Sequence, residues 1–258
     1  MKALWTGDIS FGLVNIPVKL YSAVEGSELD FDLLDKRDHA RIRYKRVNED
    51  TGREVDWDDI VRAYDVDGRY VVLTAKDFEN ASPEKTKLIE IMEFVDEDEI
   101  DSIFYETSYY VEPAKNGKKP YSLLREALRK TRKAGLGSYV LRNKEHLGIL
   151  KVINDAIVLN NIRFYEEIRD TSELDIPGKN QVKPGELKMA ITLIDQMTGT
   201  FDISKYKDTY SEELLKLIKA KAKGKRISKP KLRVAHKKEE DLMDQLKASL
   251  KVKRKKTS

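Results

Sequence analysis

The sequence predicts an α+β fold: a β-rich body, then a helical arm, then a basic and largely disordered C-terminal tail. Three observations predict it. The first half of the chain alternates apolar and polar residues with period two, in short runs bounded by Gly, Pro, Asn and Asp. Past residue 185, "ELKMAITLIDQM" and "SEELLKLIKAKA" take the spacing of amphipathic helices. Residues 219–258 then hold 16 Lys/Arg against 4 Asp/Glu, a local +12, while residues 1–218 carry −8.

In chain order, "ISFGLVNIPVKLYSA" comes first. Ile9, Phe11 and Leu13 lie at odd positions, and Val14, Ile16, Val18 and Leu20 at even ones, so the apolar phase flips between Leu13 and Val14. The flip predicts one strand that bends or bulges near Gly12 and Pro17, as strands do at barrel corners. A hairpin follows, with strands near 40–47 and 53–57 around "NEDTG", and then the short strands "RYVVLT", "KLIEIMEFV" and "TSYYVEP". At residue 122 the period changes. In "SLLREALRKTRKAG", Leu123, Leu124, Ala127, Leu128 and Thr131 share one helix face, Arg125, Arg129, Arg132 and Lys133 line the other, and Gly135 is the expected stop. Three more strands, "GSYVLR", "LGILKVI" and "AIVLNNIRF", complete the β-rich part before a Pro- and Gly-containing linker leads to the two arm helices.

Composition excludes several classes of function. No apolar run approaches the roughly eighteen residues of a membrane span, and "MKALWTGDIS" has no signal-peptide core, so a cytoplasmic location is expected. There is no cysteine, and His39, His146 and His236 are scattered, which leaves no metal-ligand spacing. No phosphate loop, dinucleotide fingerprint or nucleophile elbow is present, so neither catalytic residues nor a cofactor are expected. The acidic stretches "DWDD" (56–59) and "DEDEID" (96–101) could hold Mg²⁺ for a nuclease; solvated loops and helix starts are the plainer reading.

The cations point elsewhere. In "RIRYKRVNEDTGREV", Arg41, Arg43 and Lys45 alternate with Ile42 and Tyr44, which puts three positive charges on one side of an extended chain. Either this is a phosphate-binding face or an edge strand guarded by charge. The arginine stripe of the 122–135 helix reads as the wet side of a surface helix. The tail, "GKRISKPKLRVAHKK" with Lys225 and Arg226 at its head, reads as a segment for a polyanion. Few aromatics stand among these cations, so contact with a duplex backbone fits better than base stacking.

Seven blocks carry a more specific signal: "SFGLVNIPVKLYSA", "RIRYKRV", "GRYVVLTAKDFE", "IDSIFYETSYYVEP", "YSLLREAL", "YVLRNKEHLGIL" and "FDISKYKDTYSEELLKLI". In order and spacing the chain, from about Met1 to Gly224, resembles the prokaryotic Ku family, the DNA-end-binding proteins of bacterial non-homologous end joining. The resemblance implies a β-barrel with an inserted β arch that completes a DNA-encircling ring. It also implies a homodimer, double-stranded DNA ends as ligand, recruitment of the multidomain ATP-dependent DNA ligase of the pathway, and no catalytic activity. Arg41, Arg43, Lys45, Arg46 and Arg53 would then face backbone phosphates from the arch, with Arg142 and Lys144 as further ring-lining positions and Lys225 and Arg226 as tail contacts. At about 3.3 Å per residue, an arm of seven or eight residues spans roughly 25 Å, comparable to a duplex width.

The expected division is 1–170 for barrel and arch, 171–222 for a dimerising arm, and 223–258 for the tail. Within the tail, "EEDLMDQLKASLK" puts Leu242, Met243, Leu246 and Leu250 on one face of a short helix, which by the resemblance would dock on the ligase; packing back on the arm is the alternative. A sequence-blind architectural protein of the nucleoid shares the same charge pattern and is the rival reading.

Overall fold

Two strands, rather than one bent strand, account for the phase flip at Leu13 and Val14. A computed structural model pairs β1 (Trp5–Phe11) with β2 (Val14–Ser22) as an antiparallel hairpin closed by Gly12 and Leu13. Gly12 has φ +58°, a conformation that glycine takes without steric cost and that the first position of a tight primed hairpin turn demands. In a two-residue hairpin each odd residue faces an even one, here Trp5 with Leu20 and Ile9 with Ile16, so one core face switches parity at the turn. Pro17 is tolerated for a related reason. Its partner Asp8 donates its N–H away from β2, to Lys87 O at 2.8 Å. The Pro17 nitrogen is thereby turned to the other side, where the next ladder starts only at Val18.

The structure describes residues 1–26, 29–81, 87–142, 144–178 and 182–224, with Met243, Gln245, Leu246 and Ser249. They fall into two units, Met1–Gly26 with Asp30–Asp170, and Ser27–Leu29 with Thr171–Ser258. In the first unit the chain leaves β2 for an insert carrying hairpin β3 (Arg62–Val66) and β4 (Arg69–Leu73) and helix α1 (Ala75–Ala81). It returns as β5 (Leu88–Asp96) and continues through β6 (Tyr105–Pro113), helix α2 (Lys118–Thr131), β7 (Lys133–Leu141), β8 (Lys144–Ile153) and β9 (Ala156–Ile162). Seven strands close a barrel in the order β1-β2-β6-β9-β8-β7-β5, and the parallel pair β1–β5 seals it. Its interior is filled by Ile9, Ile16, Val18, Leu20, Ile89, Leu150, Ile157 and Leu159, all essentially inaccessible; each such side chain contributes about 1.5–3 kcal/mol when buried.

Helix α2 packs against β2, β7 and β8 through Leu124 and Leu128. The buried Tyr121 hydroxyl latches it, donating to Val111 O at 3.0 Å and accepting from Ile157 N at 2.8 Å. The helix ends earlier than its sequence predicts. Arg132, at φ +54°, takes the left-handed capping position, and Lys133 and Gly135 already belong to β7. The predicted cationic stripe is structural in part: Arg129 reaches Asn154 O (2.7 Å) and Arg125 reaches Asp155 O (3.1 Å), which ties α2 to the β8–β9 turn.

The second unit carries α3 (Pro184–Met197) and α4 (Thr209–Ala222), neither with a buried residue. Asp208 caps α4 by accepting from Ser211 N at 3.0 Å. Among the described residues no helix is long and apolar enough to cross a membrane.

Candidate nucleic-acid interface

The insert presents the predicted cations, but on a different scaffold from the expected hairpin. Residues 41–47 are shared between two turns. Ile42 N bonds back to Leu33 O at 2.9 Å beside the bridge Leu34–Arg41, while Val55 N bonds to Arg46 O at 2.9 Å beside the bridge Val47–Glu54. Each backbone group serves one partner, so no continuous 40–47/53–57 ladder forms; the chain instead makes two tight turns in succession. Asp35 organises the first, taking the Arg37 side chain and backbone N–H, and the Arg37 guanidinium holds the Asp35 carboxyl below the ordinary carboxylate range. Asn48 organises the second by accepting from Asp50 N and Thr51 N at 3.1 and 2.9 Å.

On this frame all five predicted arch cations are exposed, though not equally free. Arg41 is paired with Asp32 at 2.7 Å and Lys45 with Glu54 at 2.5 Å. Arg46 lies 4.3 Å above the centre of the Trp57 ring. Arg43 and Arg53 make no ion pair among the described residues. Ten carboxylates and seven cations share residues 30–60, so the insert's positive charge is local, concentrated between Lys36 and Arg46. Exposed pairs of this kind are worth about 0–1 kcal/mol, so a phosphate can displace Asp32 or Glu54 at small cost.

Arg142 and Lys144 sit on another element, the tip of the β7–β8 hairpin. Both are exposed, and Arg142 holds φ +53°, an uncommon conformation for a residue with a Cβ. The Trp5 indole anchors this hairpin by donating to Val140 O at 3.1 Å.

The acidic stretch 96–101 goes to local structure. Asp96 pairs with Lys133 and Glu97 with Lys151, and Asp101 accepts from Ile103 N. Among the described residues no three His, Cys, Asp or Glu side chains gather as a metal site.

In the tail, Lys225, Arg226, Leu242 and Leu250 lie outside the described residues. Met243 and Leu246 are helical and half-buried, and a Cβ built on Gly185 would meet Met243 Cε at 3.8 Å. Met243 therefore lies against the first turn of α3. Sequence reasoning missed three neighbours of the cations, namely Asp32, Glu54 and Trp57. The bridges that bring the two carboxylates across come from turns, and only the Asp-rich turn sequence "DKRDHA" hinted at one of them.

Comparison with known proteins gives this geometry its context. Residues 10–189 match the family model of the Ku70/Ku80 beta-barrel domain. The chain belongs to the Ku family. Three curated relatives of this Ku each bear the name non-homologous end joining protein Ku. The protein of Coxiella burnetii is 42% identical over 88% of this chain and 85% of its own length. That of Bacillus subtilis is 42% identical over 87% and 73%. That of Archaeoglobus fulgidus is 41% identical over 97% and 98%. The Ku barrel is thus the seven-stranded core, and the 30–81 insert with its cations is an extension between two barrel strands.

Proposed function

We propose that this Ku chain binds double-stranded DNA ends without reading sequence, as a homodimeric ring, and recruits the end-joining ligase in double-strand break repair. The observation that carries the reading is membership of a family whose relatives are named for non-homologous end joining, joined to an exposed cationic insert on the barrel. Arg41, Arg43, Lys45, Arg46 and Arg53 contact phosphates from the insert, and Arg142 and Lys144 from the β7–β8 tip. Phosphates carry no direct sequence information, so such a surface accepts any duplex, and its preference for ends comes from topology: a closed ring must be threaded. No catalytic step, metal or cofactor enters this scheme.

The second copy is proposed to pair through the 171–222 arm. α3 exposes Leu187, Ile191, Ile194 and Met197, with Phe201 between the helices 82% exposed. Apolar surface on this scale marks an interaction site, and a two-fold dimer buries the same patch on both copies. The tail helix around Met243 and Leu246 is the proposed ligase contact. Its packing against Gly185 means that the ligase must compete with α3 for that face. Residues 223–258 add further phosphate contacts, and the protein works at the nucleoid.

The test is competition between linear duplex and covalently closed circles of the same sequence. Linear DNA is expected to bind strongly and circles to compete poorly at salt high enough to suppress the tail. Equal competition by circles would replace the ring with the sequence-blind architectural reading.

A further inference from the structure

An apolar trough of roughly 480 Å³ opens on the barrel beside α2, and none of the proposed DNA-contacting residues lines it. Phe11 and Phe94 form one wall, their rings edge to face at 6.3 Å, and Leu123, Leu124, Ala127 and Leu128 form the other. Leu124 and Leu128 belong to the core, but Leu123 is 67% exposed and Phe94 is 45% exposed. A monomer gains nothing by holding these two side chains in water beside an open apolar floor. The trough follows α2 from Leu123 to Thr131, a length of about 12 Å, or some two turns of a second helix laid alongside.

Charge selects the occupant. On α2 the 100° step places Lys130 within about 20° of Leu123, on the solvent side of the trough. Arg132 follows at the end of the helix, between Thr131 and Lys133, which line it. Lys130 and Arg132 are exposed and make no ion pair among the described residues. Two nearby carboxylates are committed: Glu126 is held by Arg125 and Arg129, and Asp96 by Lys133 at 2.8 Å. The rim therefore offers unspent positive charge above an apolar floor.

We infer that this trough is a docking groove for an acidic amphipathic helix of a partner protein, which sets apolar residues at i and i+4 on the floor and carboxylates toward Lys130 and Arg132. The site is separate from the insert, so a partner can be held while DNA is bound.

The test uses the full chain and a fluorescent synthetic helix with Leu and Phe on one face and Glu elsewhere, read by anisotropy, with a Lys-for-Glu version as control. The acidic helix is expected to bind, and Leu123→Glu or the pair Lys130→Glu with Arg132→Glu to weaken it by about tenfold or more, as removal of a central anchor does. Leu123→Glu should melt as the parent does, because the side chain is already largely in water, and should bind linear duplex as before. Acidic-helix binding that survives Leu123→Glu would place the peptide on the lysine tail and overturn the proposal. Equal binding of the Lys version would overturn it too, as would a change of oligomeric state in Leu123→Glu, which would make the trough a contact between copies.

Discussion

In the proposed DNA contact, Arg43 and Arg53 can take a phosphate directly, whereas Arg41 and Lys45 must first exchange a carboxylate, and this difference orders the cations of the insert. Removing Asp32 should therefore help DNA binding rather than harm it. Asp32→Asn frees the Arg41 guanidinium and removes a negative charge beside the duplex, so end affinity should rise a fewfold in a gel-shift titration; a loss of affinity would show that the Arg41–Asp32 pair shapes the binding surface. The converse change, Arg41→Glu with Arg43→Glu, should weaken binding to all sequences alike. Because both residues are exposed, thermal melts should show a stability change within about 0.5–1 kcal/mol. Unchanged binding would return these residues to the role of charged edge guards. The sequence made the cations legible, because alternation along "RIRYKR" is visible without a structure. It hid their partners. Asp32 lies nine residues before Arg41 and Glu54 nine after Lys45, each brought across by a turn whose closure depends on side-chain bonds from Asp35 or Asn48.

Helix α2 shows what one polar group can do for an element that otherwise holds by apolar contact. The Tyr121 hydroxyl satisfies a carbonyl of β6 and an amide of β9 at once. Tyr121→Phe keeps the packing but leaves Val111 O and Ile157 N without a partner, which should cost about 1–3 kcal/mol in denaturant unfolding; no change would mean that water replaces the hydroxyl. The caps of the arm act through pH. The Ser211 hydroxyl and N–H hold Asp208 below its ordinary carboxylate value of 3.8, so the cap favours the folded helix above that value and is lost as pH falls through the lowered one. Circular dichroism of the parent should lose helix on that acid limb. Asp208→Asn, which cannot titrate, should lose less over the same window, and identical acid limbs would refute the role. Most of the barrel was legible in the sequence, since period two survives wherever one face is buried. The hairpin at Gly12 was misread because a bulge and a two-residue turn flip the apolar phase in the same way, and only strand pairing tells them apart. The end of α2 was misplaced for a comparable reason: glycine is the usual left-handed cap, but Arg132 takes the position, and Gly135 serves β7.

At the scale of the whole molecule, the proposed second copy gives the exposed apolar residues of the arm and the exposed cations of the insert one shared role. In the proposed ring a duplex on one insert could leave laterally, whereas two inserts joined by a dimer contact would enclose it and leave the end as the entry. On this proposal the preference for ends belongs to the dimer, while attraction to phosphate belongs to each chain. The two can be separated. Ile191→Asp with Ile194→Asp places carboxylates on the exposed face of α3, a helix with no buried residue among the described ones, so the variant should fold as the parent does. Sedimentation should show a dimer for the parent, as proposed, and a monomer for the variant. The monomer should still bind duplex, with affinity falling as salt rises because the insert cations remain. Its preference for linear over closed circular DNA should vanish, because a single insert closes no ring. A monomer that still distinguishes ends would show that something on one chain recognises the terminus itself. A variant that stays dimeric would move the contact off α3, to another surface that two copies can share.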